Sequence, residues 1–245
     1  MTGSVNPVTA APPAGDTARM ERVLDAAGEL LVRQGYRRVT IEDVARRAGV
    51  GKGTVYLHVR TKDALFLTVL LRAQRRMLAD LADRILAEPA VALPWRMSRL
   101  MYERMLGDDV ARVLYLGDVE VLGRLVHEAA ETLGELAAQR NDVSRRYLRL
   151  LREAGLVADD LDVDEQVHSW AAVTYGFFVL GGLPQSGTFV PADSGRRGEL
   201  IEHAVRRLLA GPAPESGAAR VAAEVAALYR PLIDHIDTEW RRRVR

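Results

Sequence analysis

The stretch TIEDVARRAGVGKGTVYLHVRTKDAL, residues 40–65, decides how this chain is read. It opens on a capping-box pattern: the Thr40 hydroxyl is placed for the orphan amides of a helix start, and an acid, Asp43, follows three residues on. Ile41, Val44, Ala45 and Ala48 give the small apolar face of a helix of barely two turns. Gly49 permits a positive backbone dihedral and hence a sharp turn, with Val50 expected to be buried there. A second short helix is predicted from about Lys52 to Val59, with Val55 and Val59 inward. Thr61 can cap a long connecting helix, about 61–87, that carries Phe66, Val69, Leu70, Leu81 and Ile85 at helical steps. It should stop at Glu88-Pro89, because proline cannot continue a helix.

Gly51-Lys52-Gly53-Thr54 also resembles a loop that wraps the phosphates of a nucleotide. Such a loop needs a glycine where Arg46 stands, and a buried strand leading into it. The lead-in IEDVARRA is an amphipathic helix instead, so the nucleotide reading fails on context. Upstream, Met20, Val23, Leu24, Ala27, Leu30 and Leu31 mark one face of a further helix, capped by Asp16 or Thr17 and ended by Gly35. Two short helices joined by a glycine turn, on a basic background, make a helix-turn-helix whose second helix enters the major groove of DNA.

Charge distribution agrees. Between Asp16 and Arg76 there are 13 Lys and Arg against 7 Asp and Glu, whereas from Met77 to Arg245 there are 21 against 26. This asymmetry suggests a basic head for a polyanion and a body with another task. Lys52 and Lys62 are the only lysines of the 245-residue chain. The absence of cysteine removes disulfides and thiolate chemistry together, and no apolar run reaches the roughly eighteen residues of a membrane span. A cytoplasmic protein with no membrane partner is expected. No histidine pair has metal-ligand spacing, and HEAAE at 127–131 lacks the second histidine of a zinc-protease helix. Neither metal, cofactor nor catalytic constellation is predicted.

The quoted stretch resembles the DNA-binding signature of the TetR family of transcriptional regulators, over roughly Arg19 to Leu70. Gly51 departs from the serine that many members carry at the cap of the recognition helix, and Val59 from their phenylalanine; glycine is only slightly worse as a cap. The resemblance implies an all-α fold: an N-terminal three-helix helix-turn-helix domain, then an antiparallel helical domain for ligand binding and dimerisation. The expected division is a disordered leader at 1–15, the DNA-binding domain at 16–62 and an effector-binding and dimerisation domain at 63–245. Lys52, in the first turn of the recognition helix, can donate to guanine. Lys62 sits at a helix N-terminus, where the macrodipole disfavours a cation unless a DNA phosphate lies nearby. The family uses the tyrosine matching Tyr56 against the DNA backbone. Thr40 is a cap whose helix end also suits a phosphate. Gly53 lets the backbone approach the groove closely, and Gly51 at the helix cap, Thr54, Leu57 and His58 complete the candidate DNA-binding set.

Residues 89–245 give no strand signal. Helices are predicted from Pro94 to about Leu106, from about Leu125 to Glu153, over 165–182, from Arg196 to Ala210, and from Ala218 to Arg243 with a kink at Pro231; GPAPESG at 211–217 reads as a linker. In the family, the last two core helices of each subunit form a four-helix dimer bundle. Ala171, Ala172, Gly176, Leu200, Val205 and Leu208 are the candidate interface residues. The family also implies a cavity for a small-molecule effector of unknown identity. Candidate lining residues are Trp95, Tyr102, Tyr115 and His168, together with Trp170, Tyr175 and Phe178. The resulting expectation is a ligand-responsive homodimeric regulator of double-stranded DNA, a repressor released by its effector. The alternative is a ligand-independent DNA-binding regulator with a filled core.

Overall fold

The computed structural model describes residues 14–113, 130–182 and 190–243, and within them the fold is all-α. Helix α1 (Ala14–Gln34) packs on α4 (Lys62–Ala87), while α2 (Ile41–Ala48) and α3 (Lys52–His58) pack on α1 and on each other. A 3-10 turn, Pro89–Ala92, leads into α5 (Pro94–Gly107) and α6 (Asp109–Arg112). The body continues with α7 (Ala130–Glu153), α8 (Val163–Gly182), α9 (Ser194–Leu209), α10 (Ala218–Leu228) and α11 (Arg230–Arg243). The only extended pairing among the described residues is an isolated bridge between Val157 and Ala210.

Two apolar cores share α4 as a spine. Leu65, Phe66, Leu67, Leu70 and Leu71 of its first half are buried with Met20, Leu24 and Leu31 of α1, Val44 of α2 and Val55 of α3. Leu81 and Ile85 of its second half belong instead with Trp95, Tyr102, Tyr147, Ile201 and Leu209. Where the two halves meet, the buried Arg72 guanidinium lies 2.7 Å from Glu21 and 2.9 Å from Asp25, tying α4 to α1. In the second core, the Tyr147 hydroxyl donates to the Ala92 carbonyl at 2.8 Å, and that of Tyr229 donates to the Met97 sulfur at 3.2 Å. Burial pushes both phenols above their ordinary range, so they stay neutral donors.

The body departs from the sequence expectations in several places. Helix α1 begins at Ala14, upstream of the expected caps Asp16 and Thr17; residues 1–13 of the expected leader lie outside the described residues. Residues 218–243 form two helices broken at Tyr229, not one kinked helix. Pro231 lacks the N–H of a continuing helix, and its ring would meet the carbonyl four residues back. The supposed linker is pinned down: Gly211 N–H donates to Leu156 and Ala213 N–H to Gly155. A Cβ at Gly211 would come within 2.4 Å of the Gly155 carbonyl oxygen, so that approach requires glycine. Val50 is half-buried rather than buried, though it packs against the head core. Helix α11 returns along α4 and adds Leu232 and Ile236 to the core of the head.

Candidate nucleic-acid interface

Local hydrogen bonds fix the start of α2 and the turn from α2 into α3. The Thr40 hydroxyl accepts from Asp43 N–H at 3.1 Å, and the Asp43 carboxylate accepts from Thr40 N–H at 3.2 Å and from the Thr40 hydroxyl at 2.6 Å. Those bonds, Thr40's first and then the nearby Arg46, hold the Asp43 carboxyl below its ordinary range. The stabilisation of the box is therefore present at neutral pH and is lost as pH falls through that depressed value. Gly49 follows at φ +68°, and Val50 N–H reaches back to the Ala45 carbonyl at 3.0 Å. Thr40→Ala is expected to lower the stability of the head by about 1 kcal/mol, as lost N-caps do, and a thermal melt reads it directly.

This turn aims α3. Val55 and Val59 are fully inward, as their spacing predicted, which leaves Lys52, Gly53, Tyr56 and Leu57 outward. Leu57 is 74% exposed, an apolar side chain offered to solvent on a helix of barely two turns. Gly51 caps the helix with no side-chain bond and lies exposed beside it; Thr54 and His58 sit half-buried at its flanks. Thr40, exposed at the start of α2, is occupied as a cap.

Two lysines have partners that the sequence did not announce. Lys52 Nζ forms an ion pair with Glu42 of α2 and lies 5.6 Å from the Tyr56 ring centroid. Each partner holds the other charged: the hydrogen bond to Glu42 raises the Lys52 ammonium, and that to Lys52 lowers the Glu42 carboxyl. Lys62, the first residue of α4, is half-buried, with Nζ 4.3 Å from the Tyr36 ring centroid and 3.4 Å from the Arg37 carbonyl. The ring face and the carbonyl offset the macrodipole cost, so a DNA phosphate is not needed to explain a cation there. A cavity of about 380 Å³ opens beside it, lined by Tyr36, Arg37, Thr61, Lys62 and Asp63. Glu42, Tyr36 and Arg37 were missed because their roles depend on contacts across turns rather than on helical spacing.

In the body, the structure gathers only some of the candidate lining residues. Tyr102 is buried against Phe178, with centroids 5.2 Å apart. Burial pushes the Tyr102 phenol up, opposed by Arg197. Trp170 N–H donates to Ser98 at 2.8 Å, and its ring lies against Tyr147. Trp95 is buried under Arg206, its indole N–H without a hydrogen-bond acceptor among the described residues. His168 and Tyr175 point outward, so their assignment to a cavity fails: the helical rotation that brings Trp170 and Phe178 inward carries these two to the opposite side of α8. Tyr115 lies outside the described residues.

The candidate dimer residues are sorted the same way. Ala171 and Ala172 are exposed, a side chain at Gly176 would meet open space, and Leu200 and Leu208 are half-buried. Val205 is fully buried in its own subunit and is removed from the set. It shares the inward stripe of α9 with Ile201 and Leu209, which faces α5.

Comparison with known proteins agrees with this architecture. The family model for bacterial regulatory proteins of the tetR family matches residues 23–69. The HTH-type transcriptional regulator YwcC of Bacillus subtilis is 37% identical over 192 residues, 72% of this chain and 84% of the relative. The HTH-type transcriptional repressor Rv1474c of Mycobacterium tuberculosis is 29% identical over 156 residues, 60% of this chain and 73% of that protein. Among solved structures, the SmeT–triclosan complex aligns with a TM-score of 0.59 at 21% identity, over 80% of this chain and 93% of the other. At that identity the likeness concerns the fold.

Proposed function

We propose that this chain, which belongs to the TetR family of bacterial regulatory proteins, is a homodimeric repressor that leaves its operator when a small molecule enters the body. It is a helix-turn-helix regulator of transcription and not an enzyme. The observation that carries the reading is the two-faced α3: Val55 and Val59 anchor it, while Lys52, Tyr56 and Leu57 face outward from a basic head. The head comprises 14–61 together with the core residues of α11, the connecting helix is 62–87, and the helices between α4 and α11 serve effector binding and dimerisation. The protein works in the cytoplasm, beside the DNA; no described helix is long and apolar enough to cross a membrane.

Pairing supplies the second half-site. Helix α8 is apolar around most of its circumference, yet Ala171, Ala172, Tyr175 and Leu180 are exposed along it. A helix of that composition is ordinarily buried on all sides, and a second copy covers this face and sets two recognition helices about 34 Å apart. Effector binding is supported by the buried Trp95 N–H and Thr174 hydroxyl, which lack partners among the described residues; buried polar groups rarely go unsatisfied. SmeT, a protein of the same fold, is held in complex with triclosan. The filled-core alternative draws on Trp170 and Tyr147, whose polar atoms are already bonded inside the protein. Native mass spectrometry of the purified dimer separates the two: a retained or added apolar molecule supports an effector, and a dimer refusing every apolar compound offered supports a filled core.

Selection of bound duplexes from a random pool tests the whole reading. A two-fold symmetric consensus is the expected result, and an asymmetric one, or none, overturns it. Lys52→Ala is expected to change which sequence is preferred. Lys62→Ala should weaken all sequences alike and reduce the salt slope of binding by about one. An unchanged slope removes the phosphate role of Lys62.

A further inference from the structure

The ion pair between α2 and α3 sits on the face offered to DNA. Glu42 is 51% exposed and Lys52 52% exposed, the first a carboxylate on a head otherwise rich in arginine. Near duplex phosphates a carboxylate is repelled, so its presence needs a reason. Capping is not that reason, because Asp43 closes the box with Thr40. Stabilising the α2 dipole from its first turn is a plain alternative, but it does not require the side chain to reach across the turn to the recognition helix. Glu42 does reach across, and Lys52 is held between it and the Tyr56 ring.

An ammonium beside a carboxylate is a donor next to an acceptor. In the major groove a G·C pair presents two adjacent acceptors, guanine N7 and O6, followed by the cytosine N4 donor; an A·T pair places a donor between two acceptors. We propose that Glu42 and Lys52 act as one composite reader of a single G·C base pair in each half-site, Lys52 donating to guanine and Glu42 accepting from the cytosine amino group. This makes Glu42 a specificity-determining residue, and it rests on the reading of the protein as a DNA-binding regulator. The pair is assembled before DNA arrives, so little side-chain freedom is lost on docking. Non-cognate duplexes meet an unsatisfied carboxylate, which adds discrimination by repulsion as well as by contact.

The experiment is selection of bound duplexes, followed by affinity measurements on single-base-pair variants of the consensus, for the full-length protein, Glu42→Ala and the near-isosteric Glu42→Gln. Thermal melts accompany each. Wild type is expected to select a G·C pair at one position of each half-site. Glu42→Ala should lose about tenfold of the discrimination there, the size of one base-pair mismatch, and keep it elsewhere. Glu42→Gln should shift that position towards A·T, since glutamine reads adenine. Unchanged discrimination in both variants overturns the proposal, and so does a uniform change at all positions, which marks a structural or purely electrostatic role. A wild-type protein that binds no duplex removes the DNA-binding reading itself, whereas a symmetric consensus indifferent to Glu42 removes this inference alone.

Discussion

Ile236→Asp, in the last helix of the chain, is expected to abolish DNA binding, although Ile236 is remote from the recognition helix in sequence. Leu232 and Ile236 are 4% and 2% exposed and belong to the same core as Phe66, Val55 and Met20, with Trp240 packed at its edge. An aspartate there places a carboxylate in an apolar core, where an unpaired charge costs several kcal/mol or forces the segment out. The milder Ile236→Ala should lose about 2–5 kcal/mol, as truncations of large aliphatic side chains do. Against a total stability of about 5–15 kcal/mol, either loss is substantial. Arg75 also pairs with Asp237 across the same contact, but both side chains touch solvent, so Asp237→Asn should change little. Thermal unfolding together with fluorescence anisotropy on the selected operator checks this. An Ile236→Ala protein that melts and binds like wild type would show that α11 is dispensable to the head.

The second large effect is expected at the outer face of α8. Ala172→Arg places a long cation in the middle of the proposed pairing surface, beside Ala171 and Tyr175. The residue is exposed within its own subunit, so the fold of that subunit should survive, with an unchanged circular dichroism spectrum. Light scattering should return a monomer. Affinity for the symmetric operator should fall by about 10²–10⁴, because the second half-site no longer binds as part of the same molecule. A variant that remains a dimer moves the interface elsewhere on the body.

These two positions also divide what is legible in the sequence from what is not. The reader's turn was legible because each of its causes is local. Thr40 and Asp43 are three residues apart, Gly49 supplies its own dihedral, and Val55 and Val59 are one helical turn apart. Interactions at such spacing survive any tertiary arrangement, so pattern alone identifies them. On α8 the pattern ran out. With apolar residues on nearly every side, periodicity could not say which stripe faces the subunit's own core, and His168 and Tyr175 were placed on the wrong one. Val205 went astray for the converse reason: the apolar stripe of α9 was correctly seen, but α5 of the same chain occupies it.

The sequence by itself determined the all-α class, the helix-turn-helix and the outward set on α3, because backbone hydrogen bonds and one-turn side-chain spacing are written in consecutive residues. Only the tertiary structure decided that Glu42 meets Lys52, that Lys62 rests on Tyr36, and that α11 completes the core of the head. Each of those contacts joins different elements: two helices for Glu42 with Lys52 and for α11 with the head, and α4 with the turn after α1 for Lys62 with Tyr36. Helical period fixes which side of a helix is apolar or charged, but the partner that side meets depends on how all the helices pack at once.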